Sequence, residues 1–144
     1  PYVVRLLGLL YGPLRLVMEF CEGGDLLSLL EQGRVWNGLE PALDDASVEP
    51  PPLCFKIAED IVRGMEFLHS QRPPVAHRDL RSPNVFVVSL DPTAPVCAKI
   101  ADFGLSVKMT ARQTRGLESW QWMAPEAQMG ANYTHECDVY SGAI

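Results

Sequence analysis

Two short polar motifs in the second half of the chain contain the residues best suited to chemistry. The first is a His-Arg-Asp triplet at residues 77–79, followed by Asn84, and the second is an Asp-Phe-Gly triplet at residues 102–104. Each lies beside an apolar run that should form a buried strand, where an unpaired carboxylate would be costly. Carboxylate and amide oxygens are hard ligands that suit Mg²⁺, which keeps some of its waters and also binds substrate phosphates. Because Asn84 follows Asp79 by five residues, one loop can place a carboxylate near a substrate hydroxyl and an amide oxygen on a metal ion.

The elements that must position these motifs follow from the apolar pattern. Before the first motif, four apolar residues recur at spacings of 4, 4 and 3, the period of an amphipathic helix: Ile57, Ile61, Met65 and Leu68. We therefore predict a helix over Leu53–His69. Between the motifs, the β-rich runs Val85–Val88 and Val96–Ile100 predict a hairpin-like pair of strands that leads from the first motif to the second.

The N-terminal third predicts another hairpin and a short helix. The apolar runs Val3–Leu10 and Leu14–Phe20 are separated by a Tyr-Gly-Pro turn signal, which favours an antiparallel pair. The glycine pair at 23–24 should end the second strand, and Asp25 is a suitable N-cap for a leucine-rich helix over Leu26–Leu30. The stretch that follows is rich in proline and acidic residues without a period, which predicts an exposed loop.

Composition limits the class of protein. With 144 residues, 47% of them apolar and 21% charged, the chain is long enough for one globular domain and is not a disordered tail, a collagen or a coiled coil. A net charge of −6 speaks against general binding to nucleic acid or to an anionic membrane surface. Within this acidic protein the stretch Arg72–Arg115 is basic, with seven bases and three acids. It is either a site for an anionic ligand or an ordinary solvated face.

The remaining sequence features predict a reduced, cytoplasmic location and a partial domain. The four cysteines have none of the close spacings that zinc sites or redox motifs require, so reduced thiols are expected. No apolar run approaches the roughly 20 residues that a membrane helix needs, so we expect no membrane segment in this chain. The sequence begins without Met and stops within apolar sequence, which we interpret as a fragment.

The two motifs, together with a third, resemble those of the protein kinases. The catalytic loop of that family reads H-R-D-L-x-x-x-N, its metal-binding motif D-F-G, and a third motif A-P-E. Here they are the octet His77–Asn84, the triplet at 102–104 and Ala124–Glu126, with 18 residues from Asn84 to Asp102. Each motif alone is weak, but all three in this order make chance a negligible explanation.

The resemblance covers the whole chain and implies a truncated α+β, bilobal protein-kinase fold. Residues 1–22 would be the last strands of the N-lobe and the hinge, and residues 23–144 the C-lobe through the activation segment to the start of its central helix. The octet, the spacer Ser89–Pro95 and the sequence Gln121–Glu126 resemble the tyrosine-kinase-like group, and within it the Roco and leucine-rich-repeat kinases most. The glycine-rich loop, the ATP-anchoring Lys and its Glu partner are not in this chain.

The resemblance assigns catalytic roles. Asp79 would accept or orient the proton of the substrate hydroxyl, and Asn84 and Asp102 would hold Mg²⁺ on the phosphates of ATP. Arg81 would take the place of the Lys that contacts the transferred phosphoryl group, which keeps the charge but not the geometry. Catalysis would then be mostly positioning and electrostatics.

The same resemblance assigns an ATP pocket. Met18 would be the gatekeeper residue behind the adenine, the backbones of Glu19 and Cys21 the hinge groups that bind it, Asp25 the ribose ligand, and Phe86 the pocket floor. Met18 and Phe86 can equally be core residues, because a pocket wall is also core. The alternatives for Cys21 and Asp25 are a strand-end thiol and a helix cap.

Regulation is implied by one arginine and the segment after the Asp-Phe-Gly triplet. Arg78 would pair with a phosphate that orders this segment through charge-assisted hydrogen bonds. The candidate phosphorylation sites are Ser106, Thr110, Thr114 and Ser119. For Ser119 we favour a structural role, because serine/threonine kinases usually have a Thr there that bonds the catalytic Asp.

The function implied is ATP- and Mg²⁺-dependent phosphorylation of serine or threonine in protein substrates. A pseudokinase scaffold that binds partners without catalysis is one alternative; the three intact motif residues Asp79, Asn84 and Asp102 argue against it. A tyrosine kinase is the other, and it would favour an Ala-Ala-Arg pattern before Asn84 and a Pro before Trp122, neither of which is present.

Overall fold

The N-terminal residues form the predicted hairpin in this computed structural model, which describes residues 1–35, 52–109, 120–129 and 134–144. Strands β1 (Leu6–Leu10) and β2 (Arg15–Met18) are antiparallel, with Leu10 opposite Arg15. Both are shorter than the apolar runs that predicted them. Most of the hairpin's apolar side chains are exposed, among them Leu6, Leu7, Leu9, Leu10, Leu14 and Leu16.

A short strand and the first helix follow the hairpin. Strand β3 is the dipeptide Gly24–Asp25, where the glycine pair had predicted only a break, and helix α1 spans Leu26–Glu31. Asp25 is the N-cap as predicted, since its Oδ1 accepts a hydrogen bond from Ser28 N at 2.9 Å. Glycine is required at position 23, because a Cβ there would lie 2.6 Å from the carbonyl oxygen of Val87.

Helix α2 (Pro52–His69) is the long amphipathic helix that the apolar spacing predicted. Its apolar face is part of the main core, which also includes Leu29, Val85 and Ile100. The helix approaches the sheet so closely that a Cβ at Gly64 would lie 2.8 Å from Ile100 Cδ1. This close packing places α2 against the strand that ends at Ile100, directly before the second polar motif.

Four short strands hold the two motifs. They are β4 (Val75–Ala76), β5 (Val85–Val87), β6 (Ala98–Ile100) and β7 (Val107–Lys108). Strands β3, β5 and β6 form one antiparallel sheet, and β4 pairs with β7 in another. The β5–β6 hairpin was predicted; the β4–β7 pair was not, because a dipeptide is too short to show a period.

Two short helices complete the described residues. They are α3 (Pro125–Gln128) and α4 (Cys137–Ala143), and a 3₁₀ turn at Trp120–Trp122 precedes α3. All four cysteines are free thiols, as expected. Within the described ranges, no helix combines the length and the apolar character needed to cross a membrane. The division of the chain into lobes at residue 22 stays a prediction.

Candidate active site

Asp79 lies in the loop between β4 and β5 and is held by the amide of Asn84. The Nδ2 of Asn84 donates to Asp79 O at 2.7 Å and to Asp79 Oδ2 at 2.8 Å. Both side chains are buried, and the 3₁₀ turn at Ser82–Asn84 brings Asn84 back towards Asp79. Because these bonds use the amide nitrogen, the amide oxygen of Asn84 is not needed for them and can serve as a metal ligand.

Arg81 places a cation beside the same carboxylate. Its Nε lies 3.2 Å from Asp79 Oδ1 and 3.3 Å from Asp79 Oδ2. The guanidinium carbon also lies 5.7 Å from the ring centroid of Trp122, over the ring. The side chain of Arg81 is 32% exposed, so the cation stays at the edge of the site.

Asp138, at the start of α4, binds the backbone of the His-Arg-Asp triplet. Its carboxylate accepts hydrogen bonds from His77 N at 2.8 Å and Arg78 N at 2.7 Å, and it lies 2.9 Å from His69 Nε2. Arg78 has a φ of 71°, a left-handed conformation that costs energy for a side-chain-bearing residue. The bond from its N–H to a buried carboxylate stabilises that conformation.

Sequence reasoning did not identify Asp138 as a site residue. The sequence feature that could have identified it is a single acidic residue in the otherwise uncharged stretch Cys137–Ala143. A carboxylate buried there needs a polar partner, and that partner lies elsewhere in the chain. Next to it, burial raises the pKa of the Cys137 thiol to about 12, and the carboxylate of Asp138 adds to this effect. This thiol therefore stays protonated and unreactive at neutral pH.

Asp102 is brought to the same end of the β5–β6 hairpin as Asn84. Ala101 N donates to Asn84 O at 2.8 Å, so the residue before Asp102 lies opposite Asn84. The ring of His77 links the two motifs, since its Nε2 lies 2.9 Å from Ala101 O and the ring meets Phe103 edge-on at 5.0 Å. The tertiary structure thus joins the two motifs into one site.

The donor set at this end of the hairpin fits Mg²⁺. Asp102 is exposed and has a φ of 59°, and its Oδ1 accepts a hydrogen bond from Gly104 N at 3.1 Å. An exposed carboxylate and the amide oxygen of Asn84 are two hard oxygen ligands, which leaves room for waters and phosphates. A fully protein-built cage is absent: no group of three or more His, Cys, Asp or Glu side chains suited to a metal occurs among the residues that the structure describes.

The predicted pocket residues lie on separate elements, with Met18 in β2, Asp25 in β3 and Phe86 in β5. Met18 ends β2 and is 50% exposed, and Cys21 is buried, with its thiol pKa raised by burial and then by the charge of Glu19. Phe86 lies opposite Asp25 in the sheet and is half-buried. Asp25 uses its Oδ1 for Ser28 N and its Oδ2 for Ser28 Oγ, so its observed contacts are those of a helix cap.

Glu19, directly after β2, is linked to β6, the strand that leads to Asp102. Its Oε1 accepts hydrogen bonds from Lys99 Nζ at 2.7 Å and from Arg5 N at 2.8 Å. Both side chains of the ion pair are largely buried. The bond from Lys99, and next the bond from the Arg5 backbone, hold the pKa of Glu19 below its usual value of 4.5.

The predicted regulatory residues are placed only in part. Ser106 donates its hydroxyl to His77 O at 3.2 Å and is partly buried, a contact that ties the segment after the Asp-Phe-Gly triplet to the catalytic loop. Thr110, Thr114 and Ser119 lie outside the described residues. The backbone N–H of Arg78 donates a hydrogen bond to Asp138 Oδ1.

Comparison with known proteins decides the family. The sequence profile of the family described as "Protein tyrosine and serine/threonine kinase" matches residues 1–144. The chain belongs to the protein kinase family. Its fold is accordingly that of a partial kinase domain, in which the hairpin, the hinge and the first part of the helical lobe are present.

Individual relatives place the kinase more narrowly. It is 42% identical to "Probable serine/threonine-protein kinase qkgA" of Dictyostelium discoideum over 100% of this chain and 9% of the relative. It is 43% identical to "Probable serine/threonine-protein kinase roco11" of the same organism over 96% of this chain and 8% of the relative. Human "Mitogen-activated protein kinase kinase kinase 7" is 34% identical over 100% of this chain and 22% of the relative. The resemblance to Roco kinases is confirmed, and the chain spans under a quarter of each relative's length.

Proposed function

We propose that the kinase transfers a phosphoryl group from ATP to serine or threonine hydroxyls of protein substrates. The observation that carries this proposal is the set of contacts around Asp79, whose carboxylate lies 2.8 Å from Asn84 Nδ2 and 3.2 Å from Arg81 Nε. These contacts fix a carboxylate beside a cation, next to the strand end that carries Asp102. An acceptor hydroxyl bound at Asp79 would give it a hydrogen bond and be oriented for attack.

The neighbouring groups would bind the phosphates. Asn84 and Asp102 would hold Mg²⁺, which supplies positive charge that stabilises the transferred group. Arg81 would add a second cation close to that group. Burial of Asp79 and Asn84 favours this electrostatic mechanism, because charges interact more strongly where water is excluded.

The nucleotide base and ribose would lie along the hinge. Met18 would border the adenine, Phe86 would lie beneath it, and the backbones of Glu19 and Cys21 would bind its edge. Asp25 would bind the ribose while it caps α1, because a carboxylate oxygen can accept more than one hydrogen bond.

Specificity for serine and threonine is supported by the relatives qkgA and roco11, each named a probable serine/threonine-protein kinase. The substrate would be a protein, and the net charge of −6 argues against a nucleic-acid partner.

The four free thiols are consistent with a cytoplasmic location. A phosphate on Ser106, Thr110, Thr114 or Ser119 would pair with Arg78 and order the activation segment.

The test uses the full-length protein that contains this chain, incubated with labelled ATP and a peptide mixture that offers Ser, Thr and Tyr. We expect Mg²⁺-dependent label on Ser and Thr. Asp102→Asn should abolish this turnover, whereas Asp91→Asn, at an exposed aspartate outside the site, should retain it. Label on Tyr would contradict the specificity, and absence of label with wild-type protein would favour the pseudokinase alternative.

A further inference from the structure

Helix α4 holds the catalytic loop and the turn at Trp120–Trp122 at the same time. Asp138 accepts hydrogen bonds from the backbone of His77 and Arg78, and Ser141 Oγ donates to Trp122 O at 2.6 Å. Residues 138 and 141 are three apart and therefore lie on one face of the helix. The loop that carries Asp79 and the turn that carries Trp122 are thus fixed to the same support.

The side chain of Gln128 also binds backbone carbonyls of the turn and of the residue after it. The side-chain amide of Gln128 donates from Nε2 to Trp120 O at 3.1 Å and to Met123 O at 2.8 Å. The catalytic loop and the turn line two common pockets, one of about 10 Å³ beside Asp79 and one of about 230 Å³ that Arg81 and Trp122 both border, so the two segments lie side by side. Trp122 therefore has a defined position relative to the catalytic loop.

Arg81 contacts both Asp79 in the catalytic loop and Trp122 in the turn. Its contact with Asp79, at 3.2 Å from Nε, is longer than that of a well-formed charge-assisted hydrogen bond. A long side chain that is 32% exposed has several competing rotamers in solvent. The ring of Trp122, 5.7 Å from the guanidinium carbon, offers a cation–π contact that favours the rotamer directed at Asp79.

We propose that Trp122 is a positioning residue for phosphoryl transfer, which keeps the guanidinium of Arg81 against Asp79. This inference rests on the proposed function, because it assumes that Asp79 orients the acceptor. It makes Trp122, in the turn before the Ala-Pro-Glu motif, part of the catalytic arrangement. When the turn is displaced, Arg81 loses its support and Asp79 loses the adjacent cation.

A double-mutant cycle in the full-length protein tests the proposal. Trp122→Leu should lower kcat by about tenfold and change KM for ATP by less than twofold, as expected when a cation–π contact remote from the nucleotide is lost. Trp122→Phe, which keeps a ring face, should recover most of the rate. In an Arg81→Met background, Trp122→Leu should lower kcat by less than a further twofold, because the group it positions is gone.

Trp120→Leu is the matched control, since Trp120 is 64% exposed and belongs to the same turn. It should retain wild-type kcat. If Trp122→Leu does not fold, the cycle is run with Trp122→Phe, whose weaker ring face should still lower kcat, though by less. Equal losses of kcat in the wild-type and Arg81→Met backgrounds, or no loss at all, would overturn the proposal. An Asp79→Asn variant that keeps wild-type activity would overturn the proposed function instead.

Discussion

At the scale of single residues, the carboxylate of Asp79 is held by hydrogen bonds from Asn84 and Arg81 to Oδ2, and the Nε of Arg81 also lies 3.2 Å from Oδ1. Its proposed partner is the acceptor hydroxyl and not ATP. Asp79→Asn should therefore lower kcat by about 100-fold or more, the usual contribution of a general base, with little change in the Kd for ATP. Single-turnover phosphorylation and nucleotide titration of the full-length protein measure the two quantities.

The control for this prediction is Asp91→Asn, which makes the same chemical change at an exposed position. It should leave kcat unaltered. A loss of ATP affinity in Asp79→Asn with kcat preserved would show that Asp79 contacts the nucleotide and would remove its assigned role.

At the scale of elements, two buried carboxylates each accept hydrogen bonds from a backbone segment. One segment is next to Asp79, and the other is at the start of β6. Asp138 accepts from His77 N and Arg78 N, and Asp60 accepts from Cys97 N at 2.6 Å and Ala98 N at 3.1 Å. Asp138→Asn turns a donor towards a backbone N–H, whereas Asp60→Asn turns a donor towards the ammonium of Lys56, which lies 2.7 Å from Asp60 Oδ1. Each change should lower the free energy of unfolding by about 2 kcal/mol.

Activity should separate the two variants. Well below the melting temperature, Asp138→Asn should lower kcat, because the left-handed Arg78 next to Asp79 is no longer held. Asp60→Asn should not, because it acts at the N-terminal end of β6, whereas Asp102 follows the C-terminal end. Denaturant unfolding and initial-rate measurements on both variants provide the comparison; parallel losses of kcat would mean that stability alone explains the effect.

The ion pair of Glu19 and Lys99 joins the hinge to β6, and its contribution should depend on pH. The folded-state pKa of Glu19 lies below 4.5, so the pair stabilises the fold above pH 4.5 and loses this effect as the pH falls through the lowered value. Glu19→Gln should therefore lower the free energy of unfolding by about 1 kcal/mol at pH 7 and by progressively less as the pH falls below 4.5. Urea unfolding at several pH values tests this.

Glu59→Gln is the matched control for Glu19→Gln, since Glu59 pairs with Arg63 along an exposed helix face. Its effect should be smaller at pH 7, because solvent screens an exposed pair. A difference between wild type and Glu19→Gln that is constant from pH 7 to pH 3 would contradict the assignment of the charge.

At the scale of the whole molecule, the exposed hairpin is the weakest feature of the 144-residue polypeptide. Its leucines at 10, 14 and 16 are 54%, 69% and 61% exposed. Such an apolar surface, with strand edges unpaired, favours association between copies. Expressed alone, residues 1–144 should self-associate and show no phosphoryl transfer, because most of the N-lobe that completes the ATP site is outside this chain.

Light scattering after size exclusion tests the prediction, and the triple variant Leu10→Lys, Leu14→Glu, Leu16→Lys should reduce association. A monodisperse wild-type polypeptide with a sharp thermal transition and measurable turnover would show that the exposed hairpin is tolerated and the site is complete.

Local sequence was sufficient for the parts of the fold that are held by local bonds. The cap at Asp25, the helix over Leu53–His69 and the β5–β6 hairpin were predicted because each depends on neighbours within a few turns of the chain. The motif residues Asp79 and Asn84 were identified in the same way, since their spacing already places them in one loop. The two-residue strands β3, β4 and β7 were missed, because a dipeptide is too short to show a period.

The sequence by itself determined the family to which the chain belongs and predicted which groups do the chemistry. The tertiary structure decided what holds those groups: Asp138 reaches the catalytic loop across 61 residues, and Glu19 reaches Lys99 across 80. Trp122 meets Arg81 from a turn whose carbonyls accept hydrogen bonds from Ser141 and Gln128. The physical reason is that residue type and period report bonds between near neighbours, whereas contacts between distant segments depend on the path of the folded chain.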